Sequence, residues 1–170
     1  MHLVIRLAKK DDIPRLRDIE RAAGRQFLDI GMRAVAEDEP PAPEVLRQYI
    51  DADRAWVHTD ARDVPAAYVV VDLVDGCVHI EQVSVDPGHA RKRIGAGLIE
   101  HVAAWAKEHG APALTLTTFT GVAWNGPYYE RCGFRTVPEA ELTPGLRGIR
   151  AEEAAHGLDQ WPRTCMRRAL

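Results

Sequence analysis

The sequence predicts an α/β protein of the α+β type, in which a mixed, mostly antiparallel sheet of about six to seven strands is flanked by helices. Its length of 170 residues is typical of one domain, so we assign residues 1–170 to a single domain. Two strand-like runs, 66–73 and Cys77–Val85, are joined by Asp75-Gly76, which is a strong hairpin signal. Later in the chain, strand patterns alternate with helical patterns, as in a β-α-β arrangement with helices packed on a sheet.

The N-terminal third begins with a strand and continues with helices. Residues 2–8 are rich in aliphatic side chains and predict the first strand. A first amphipathic helix follows, because apolar residues recur at helical spacing at Ile13, Leu16, Ile19 and Ala23. The pattern weakens over residues 24–42, and residues 39–43 are interpreted as a loop. Residues 44–52 predict a short second helix.

The middle of the chain contains three strands and then the longest helix. The strands are predicted at 54–59, 66–73 and Cys77–Val85, and a helix is predicted over 93–109. Its apolar stripe consists of Ile94, Leu98, Val102 and Trp105, at offsets typical of a helix. Gly110 stands where a helix commonly ends.

The C-terminal third alternates strands with short helices. Strands are predicted at 113–118, 134–137 and 164–168, and a helix at 127–132. Residues 138–162 are interpreted as an insert before the last strand, with a loop and a helix over 143–157.

Composition and charge exclude several classes of protein. The net charge is -3 and the isoelectric point about 6.2, so nucleic acid is not expected as the main partner. The three cysteines lie far apart and form no CxxC pair, so neither a metal site nor a disulfide framework is predicted. The apolar runs are shorter than a membrane span requires, and the first residues do not resemble a signal peptide. We expect a reduced, cytoplasmic protein with no membrane partner.

Residues 86–97, which we call the anion turn, carry the most functional information. Here a strand runs through Asp86-Pro87-Gly88 into the start of the longest helix, where backbone N–H groups lack partners and a positive partial charge accumulates. Gly95 and Gly97 would let a bulky anion approach this backbone. The adjacent cations Arg91, Lys92 and Arg93 are unfavourable at the positive end of a helix dipole, and a bound polyanion would reverse that penalty. The alternative is a solvated basic helix start with incidental glycines. Neither a P-loop nor a Rossmann motif is present.

The order of elements, together with the segment V-D-P-G-H-A-R-K-R-I-G-A-G-L-I, resembles the GCN5-related N-acetyltransferases. In that family, a strand ending in V-x-P leads to a [Q/R]-x-x-G-x-[G/A] loop whose amides hold the pyrophosphate of acetyl-coenzyme A. The resemblance implies the acyl-coenzyme A N-acyltransferase fold and no metal. The loop differs from the pattern at Ala90 and Arg93, and we expect an ordinary negative φ at Arg93 because it is not glycine. The cofactor-binding residues that the resemblance implies are Val83, Val85, Arg91, Lys92, Arg93, Ile94, Gly95, Ala96, Gly97, Asn125 and Tyr129.

A second motif of the same family lies between residues 124 and 134, where the sequence matches a helix ending in Y-x-x-x-G-F. The resemblance places the family's tyrosine at Tyr129 and implies that its hydroxyl protonates the departing thiolate, a role that suits a phenol. The alternative is a core tyrosine. Asn125 would contact the pantetheine arm, cap its helix, or do both.

Acetyl transfer to an ammonium also requires a base. Glu81 is the first candidate, because it interrupts an apolar strand where the family often has a carboxylate, and burial would raise its pKa. His79 is the second candidate, two residues earlier and on the same face of a regular strand. A structural ion pair is the alternative role for Glu81. The resemblance also implies that the backbone amides at Val83 or Val85 polarise the thioester carbonyl.

The resulting hypothesis is an N-acetyltransferase that moves the acetyl group of acetyl-coenzyme A to a primary amine of a small molecule or peptide by direct attack in a ternary complex. Residues 26–43 and 138–162 would select the acceptor. Acidic side chains there, such as Glu153, are interpreted as solvated charges.

Two alternatives stay open. One is a non-catalytic sensor of coenzyme A or another ligand, for which the departures at Ala90 and Arg93 would be typical. The other is an acetyltransferase that acts on protein N-termini or on ribosomal or RNA-linked amines. A homodimer is also left open.

Overall fold

The computed structural model describes residues 4–170. The strands are β1 (Val4–Leu7), β2 (Ala55–Thr59), β3 (Pro65–Val74), β4 (Cys77–Val85), β5 (Ala113–Phe119), β6 (Arg135–Thr136) and β7 (Arg163–Ala169). The α-helices are α1 (Ile13–Gly24), α2 (Arg33–Ala36), α3 (Pro43–Asp51), α4 (Ile94–Glu108), α5 (Gly126–Arg131) and α6 (Pro144–Ala155). Single turns or short segments of 3-10 helix span Lys10–Asp12, Arg25–Ile30, Pro87–His89, Glu139–Glu141 and Leu158–Gln160.

The seven strands form one mixed sheet in the order β1-β2-β3-β4-β5-β7-β6. The pair β4–β5 is parallel, whereas β1–β2, β2–β3, β5–β7 and β6–β7 are antiparallel. Asp75 and Gly76 alone connect β3 to β4, with φ angles of 51° and 82°. Positive φ at both positions is what a two-residue hairpin turn needs. The predicted fold class is confirmed.

Most predicted elements form close to their predicted bounds, and one strand is shorter than predicted. Residues 2 and 3 of the first predicted strand lie outside the described residues. The segment 24–42, where the pattern weakens, contains the 3-10 segment Arg25–Ile30 and the four-residue helix α2, and the loop predicted at 39–43 has no regular structure up to the start of α3. The 3-10 segment and α2 are too short to give a periodic pattern. The strand predicted at 134–137 is shorter in the structure and consists of the two residues of β6, which pair with β7.

Residue contacts divide the chain into two compact units. The first consists of the chain up to Val71 together with Gln82–Val102, and the second of Asp72–Glu81 together with Ala103–Leu170. In the first unit, α1 and α3 cover one face of β2 and β3. The buried cluster there includes Leu16, Ile19, Leu46, Val57 and Tyr68. Each fully buried Leu or Ile contributes roughly 1.5–3 kcal/mol relative to an exposed side chain, so this cluster positions α1 firmly.

In the second unit, the start of α6 packs tightly against the β3–β4 hairpin. A Cβ atom built on Gly145 would lie 2.6 Å from Cγ1 of Val74 and 2.7 Å from Oδ2 of Asp75. The same Asp75 oxygen accepts a hydrogen bond of 2.8 Å from the backbone N–H of Gly145. The hairpin turn thus supplies the cap that the first turn of α6 lacks from its own residues.

Within residues 4–170, none of the helices combines the length and the apolar character that crossing a bilayer requires.

Candidate active site

The anion turn lies in the first unit, between the end of β4 and the start of α4. Arg15 on α1 fixes the first residue of the turn, because Nη2 of Arg15 donates a hydrogen bond of 2.9 Å to Oδ2 of Asp86. The backbone N–H of Asp86 donates to the carbonyl of Ala66 at 2.8 Å. Burial raises the pKa of the Asp86 carboxyl, but the hydrogen bond from Arg15 and a backbone N–H outweigh it and hold the pKa below its usual range. Both contacts anchor the turn to neighbouring elements of its own unit.

The backbone of the turn corrects one expectation. Arg93 has a φ of +58° and Arg91 a φ of +66°, whereas Lys92 between them does not have a positive φ. The expected negative φ at Arg93 is therefore wrong. Left-handed backbone costs roughly 1–2 kcal/mol for each non-glycine residue, and such strain concentrates at functional sites. Left-handed residues beside right-handed ones can turn successive N–H groups toward one concavity, an arrangement that binds anions.

The start of α4 follows the turn directly and adds further backbone amides to it. The first hydrogen bond of the helix runs from the N–H of Gly97 to the carbonyl of Arg93 at 3.0 Å, so the preceding amides of Ile94, Gly95 and Ala96 have no partner within the helix. The side chains of Arg91, Lys92 and Arg93 are exposed. A Cβ atom at Gly97 would meet no protein atom within 4 Å. The protein itself therefore gives no steric reason for glycine at this position.

The first unit also contains a hydrogen-bond network that the sequence did not indicate. Oε2 of Glu20 on α1 accepts hydrogen bonds of 2.7 Å from the hydroxyls of Tyr68 and Ser84. Nε2 of Gln82 donates to Oγ of Ser84 at 2.8 Å. Burial and the Glu20 carboxylate raise the pKa of the Tyr68 hydroxyl well above its usual value. The network ties α1 to β4, the strand that also carries Val83 and Val85. Glu20, Tyr68 and Ser84 lie far apart in sequence and share no motif, so only the fold brings them together.

In the second unit, the structure brings the two candidate bases together. Nε2 of His79 lies 3.8 Å from Oε2 of Glu81. The His79 side chain is 1% exposed, whereas that of Glu81 is 48% exposed. Nδ1 of His79 makes a hydrogen bond of 2.9 Å with Oγ1 of Thr115 on β5. The strand therefore presents one carboxylate to solvent and buries an imidazole directly beside it.

The surroundings of Glu81 raise the pKa of its carboxyl to about 7. Loss of hydration is the largest cause, even though part of the side chain remains open to solvent. The carboxylates of Asp72 and Glu153 raise the pKa further, and Arg163 lowers it. A carboxyl with such a pKa changes its protonation state near neutral pH, as a general base should. Burial lowers the pKa of His79 and keeps its ring neutral, although Asp72 and Glu153 act in the opposite direction.

Glu153 itself is not the solvated charge that the sequence suggested. Its side chain is only 15% exposed. It accepts hydrogen bonds from the hydroxyl of Thr117, from Nη2 of Arg163 at 2.9 Å and from Nη1 of Arg150 at 2.9 Å. Burial raises the pKa of this carboxyl, but the hydrogen bond from Thr117 and the charge of Arg163 bring it below its usual range. Glu153 therefore attaches α6 to β5 and β7 as a permanent anion.

The second motif also lies in the second unit. Tyr129 is half-buried on α5, and its ring makes edge contacts with Tyr128 and Phe134, with centroids 5.4 and 6.0 Å away. Asn125 precedes the helix, but its side chain does not cap it. Instead, its Oδ1 accepts a hydrogen bond of 3.0 Å from Oγ1 of Thr118. The capping role considered for Asn125 is therefore wrong, because a partner on β5 engages the side chain.

The predicted site residues thus fall into two groups. Val83, Val85 and the seven residues 91–97 belong to the first unit, and Glu81, Asn125 and Tyr129 to the second. In the part of the chain that the structure describes, no group of three or more His, Cys, Asp or Glu side chains is arranged to hold a metal ion.

Comparison with known proteins adds two findings. The model of the acetyltransferase (GNAT) family matches residues 14–134. Solved structures with the same fold include the PaiA N-acetyltransferase of Thermoplasma acidophilum in complex with coenzyme A, with 12% identity, a TM-score of 0.71 and 100% of both chains covered.

Two further similar structures are full-length matches. An acetyltransferase of the GNAT family from Staphylococcus aureus has 14% identity and a TM-score of 0.77, with 99% of both chains covered. The ribosomal-protein-S18-alanine N-acetyltransferase of Escherichia coli has 18% identity and a TM-score of 0.68, with 99% of this chain and 94% of that chain covered. At these identities the structural matches show the fold alone.

Proposed function

The chain belongs to the acetyltransferase (GNAT) family, and on this premise we propose that it transfers an acetyl group from acetyl-coenzyme A to a primary amine of a small molecule or peptide. The transfer would take place by direct attack within a ternary complex. The observation that carries the proposal is the anion turn, in which two non-glycine residues, Arg91 and Arg93, adopt left-handed backbone directly before a long helix.

The shape of the turn supports coenzyme A as the ligand. A pyrophosphate would accept hydrogen bonds from the amides of the turn and of residues 94–96, and the positive end of α4 would favour its charge. Arg91, Lys92 and Arg93 would add attraction for the phosphates from their exposed positions. The space beside Gly97 is open, so a ligand could approach the backbone of α4 there. The structures from similar proteins include one with bound coenzyme A, which supports the same assignment.

The proposed chemistry uses one base and one acid. Glu81 takes a proton from the ammonium group of the acceptor, and its pKa of about 7 suits this role near neutral pH. The neutral amine then attacks the thioester carbonyl, whose oxygen would be polarised by the amide of Val83 or Val85. The C–N bond forms as the C–S bond breaks, and the nitrogen releases its second proton to solvent to give the neutral amide. Tyr129 protonates the leaving thiolate and is reprotonated from solvent.

Calorimetric titration of the purified protein tests the cofactor assignment. We expect acetyl-coenzyme A and coenzyme A to bind with micromolar affinity and ATP to bind much more weakly. Absence of coenzyme A binding in a folded sample would contradict the proposal. Binding together with failure to acetylate a panel of amines would favour the non-catalytic sensor.

Two tryptophan variants locate the site. Gly97→Trp places a large side chain where the protein leaves space, so the chain should fold but lose coenzyme A binding. Gly148→Trp on α6 is the matched control, because a Cβ atom there also meets nothing within 4 Å. Equal affinities in the two variants would place the cofactor elsewhere.

A further inference from the structure

We propose that Thr115 and His79 act as positioning residues for Glu81. In this arrangement the hydroxyl of Thr115 donates to Nδ1 of His79, the ring carries its proton on Nε2, and that N–H faces the ionised carboxylate of Glu81. The inference rests on the proposed function in one respect only, namely that Glu81 is the base. It adds Thr115 and His79 to the site and states which atom of each residue carries the proton.

The geometry of the three residues carries the inference. Oγ1 of Thr115 lies 2.9 Å from Nδ1 of His79, and Nε2 of the same ring lies 3.8 Å from Oε2 of Glu81. Thr115 is 2% exposed and His79 is 1% exposed. Water therefore has little access to either ring nitrogen, and each nitrogen faces one polar side chain, while Asp72 and Glu153 act on the ring through their charge. The contact to Glu81 is longer than a hydrogen bond, as catalytic contacts often are before substrate binds.

The tautomer follows from charge. A neutral imidazole has one N–H and one lone pair, and a lone pair on Nε2 would repel the Glu81 carboxylate. Placing the proton on Nε2 leaves Nδ1 as an acceptor, and a threonine hydroxyl can donate to it. An imidazolium is disfavoured, because burial lowers the pKa of His79. When Glu81 is ionised, one placement of protons therefore suits both partners: Nε2 of His79 is protonated, and the hydroxyl of Thr115 donates to Nδ1.

The charges around Glu81 explain why such support is useful. Asp72 on β3 and both Glu152 and Glu153 on α6 disfavour its ionised form. Arg163 on β7 favours that form, but it is already bound to Glu153. His79 contributes an N–H dipole without a net charge. It can stabilise the carboxylate without pairing with it permanently, so the base stays available to the acceptor.

Nuclear magnetic resonance of the ligand-free protein tests the inference directly. Long-range ¹H–¹⁵N spectra report which ring nitrogen carries the proton, and loss of one signal in His79→Gln assigns it among the seven histidines. At a pH about two units above the Glu81 pKa we expect the Nε2–H tautomer. An Nδ1–H tautomer at that pH would overturn the proposal.

Two threonine variants provide the second measurement. Thr115→Val is nearly isosteric but removes the hydroxyl, whereas Thr115→Ser retains it. The ¹³C titration of the Glu81 carboxyl should shift upward by roughly half a pH unit in the valine variant, because a net hydrogen bond of about 1 kcal/mol equals roughly 0.7 pH unit. The serine variant should titrate like the wild type. Equal midpoints in wild type and Thr115→Val would overturn the proposal.

Histidine variants separate positioning from packing. A glutamine at position 79 can place an amide N–H near the site of Nε2, so His79→Gln should keep the Glu81 midpoint, whereas His79→Leu should raise it. Equal midpoints in these two variants would leave His79 with a packing role only. None of these measurements needs coenzyme A or an acceptor. Failure of the proposed function would appear instead as absent coenzyme A binding, so the two failures can be told apart.

Discussion

At the scale of single residues, the carboxyl of Glu81 links function to stability. Its pKa rises from 4.5 to about 7 on folding, so the folded state binds more protons than the unfolded chain between these two values. The free energy of unfolding therefore falls as the pH rises through this window. The ionisation that the proposed base requires thus lowers the stability of the protein near neutral pH.

Glu81→Gln tests this linkage. The amide cannot ionise, so the variant should melt at a higher temperature than the wild type at pH 8, and the difference should shrink at pH 5. Glu139→Gln removes an exposed carboxylate from a surface turn and serves as the control for the change in net charge. Thermal melting at the two pH values measures the effect. A constant difference between wild type and Glu81→Gln would contradict the raised pKa.

Tyr129→Phe removes the proposed acid and keeps the ring. The edge contacts with Tyr128 and Phe134 are preserved, so affinity for acetyl-coenzyme A should hardly change. Because general acid catalysis contributes typically 10²–10⁴-fold, kcat should fall by about 100-fold. The neighbouring Tyr128→Phe is the matched control and should retain its rate. Unchanged turnover in Tyr129→Phe would remove this residue as the acid.

At the scale of elements, the anion turn carries backbone strain that a single glycine can release. Arg93→Gly should raise the free energy of unfolding by about 1 kcal/mol, because glycine adopts positive φ without a steric penalty. Lys92→Gly is the control, since its φ is not positive, and it should be neutral or destabilising. Chemical denaturation measures both. A loss of stability in Arg93→Gly would show that its side chain outweighs the strain.

Two glycines of α6 differ in their surroundings: Gly145 packs closely against the β3–β4 hairpin, and Gly148 does not. Gly145→Ala should destabilise the protein by roughly 1–3 kcal/mol, since its Cβ atom would overlap Val74 and Asp75. Gly148→Ala in the same helix meets no atom within 4 Å and should stabilise it by up to about 1 kcal/mol through helix propensity. Opposite signs in the two melting curves are expected. Equal effects would mean that α6 can shift away from the hairpin.

At the scale of the whole molecule, most of the fold could be predicted because local patterns determine it. The helical stripe beginning at Ile94 and the turn residues Asp75 and Gly76 are short-range signals, and both elements form where they predict. Short or irregular segments, such as Arg25–Ile30, give no period to detect. The fold class therefore emerged from the sequence, while the details of the connections did not.

The candidate site divides in the same way. Gly97 and Tyr129 belong to contiguous motifs, so the sequence alone is enough to propose them as site residues. Thr117 as a partner of Glu153 and Tyr68 as a partner of Glu20 come from distant positions, and no local pattern indicates them. The prediction for the φ of Arg93 was wrong, because it was based on residue type. The connection from β4 to α4 imposes a positive φ there although the residue is not glycine. Long-range contacts and backbone geometry are what a single sequence hides.

The left-handed pair in the anion turn also affects how relatives of this protein can be found. A search pattern that demands glycine at position 93 rejects this chain, although its backbone bends as a glycine would. The feature shared among such loops would then be a sequence of dihedral angles, and the amino acid at each position only a preference of about 1 kcal/mol. A search based on torsion angles would therefore accept this chain at a position where a strict glycine motif rejects it.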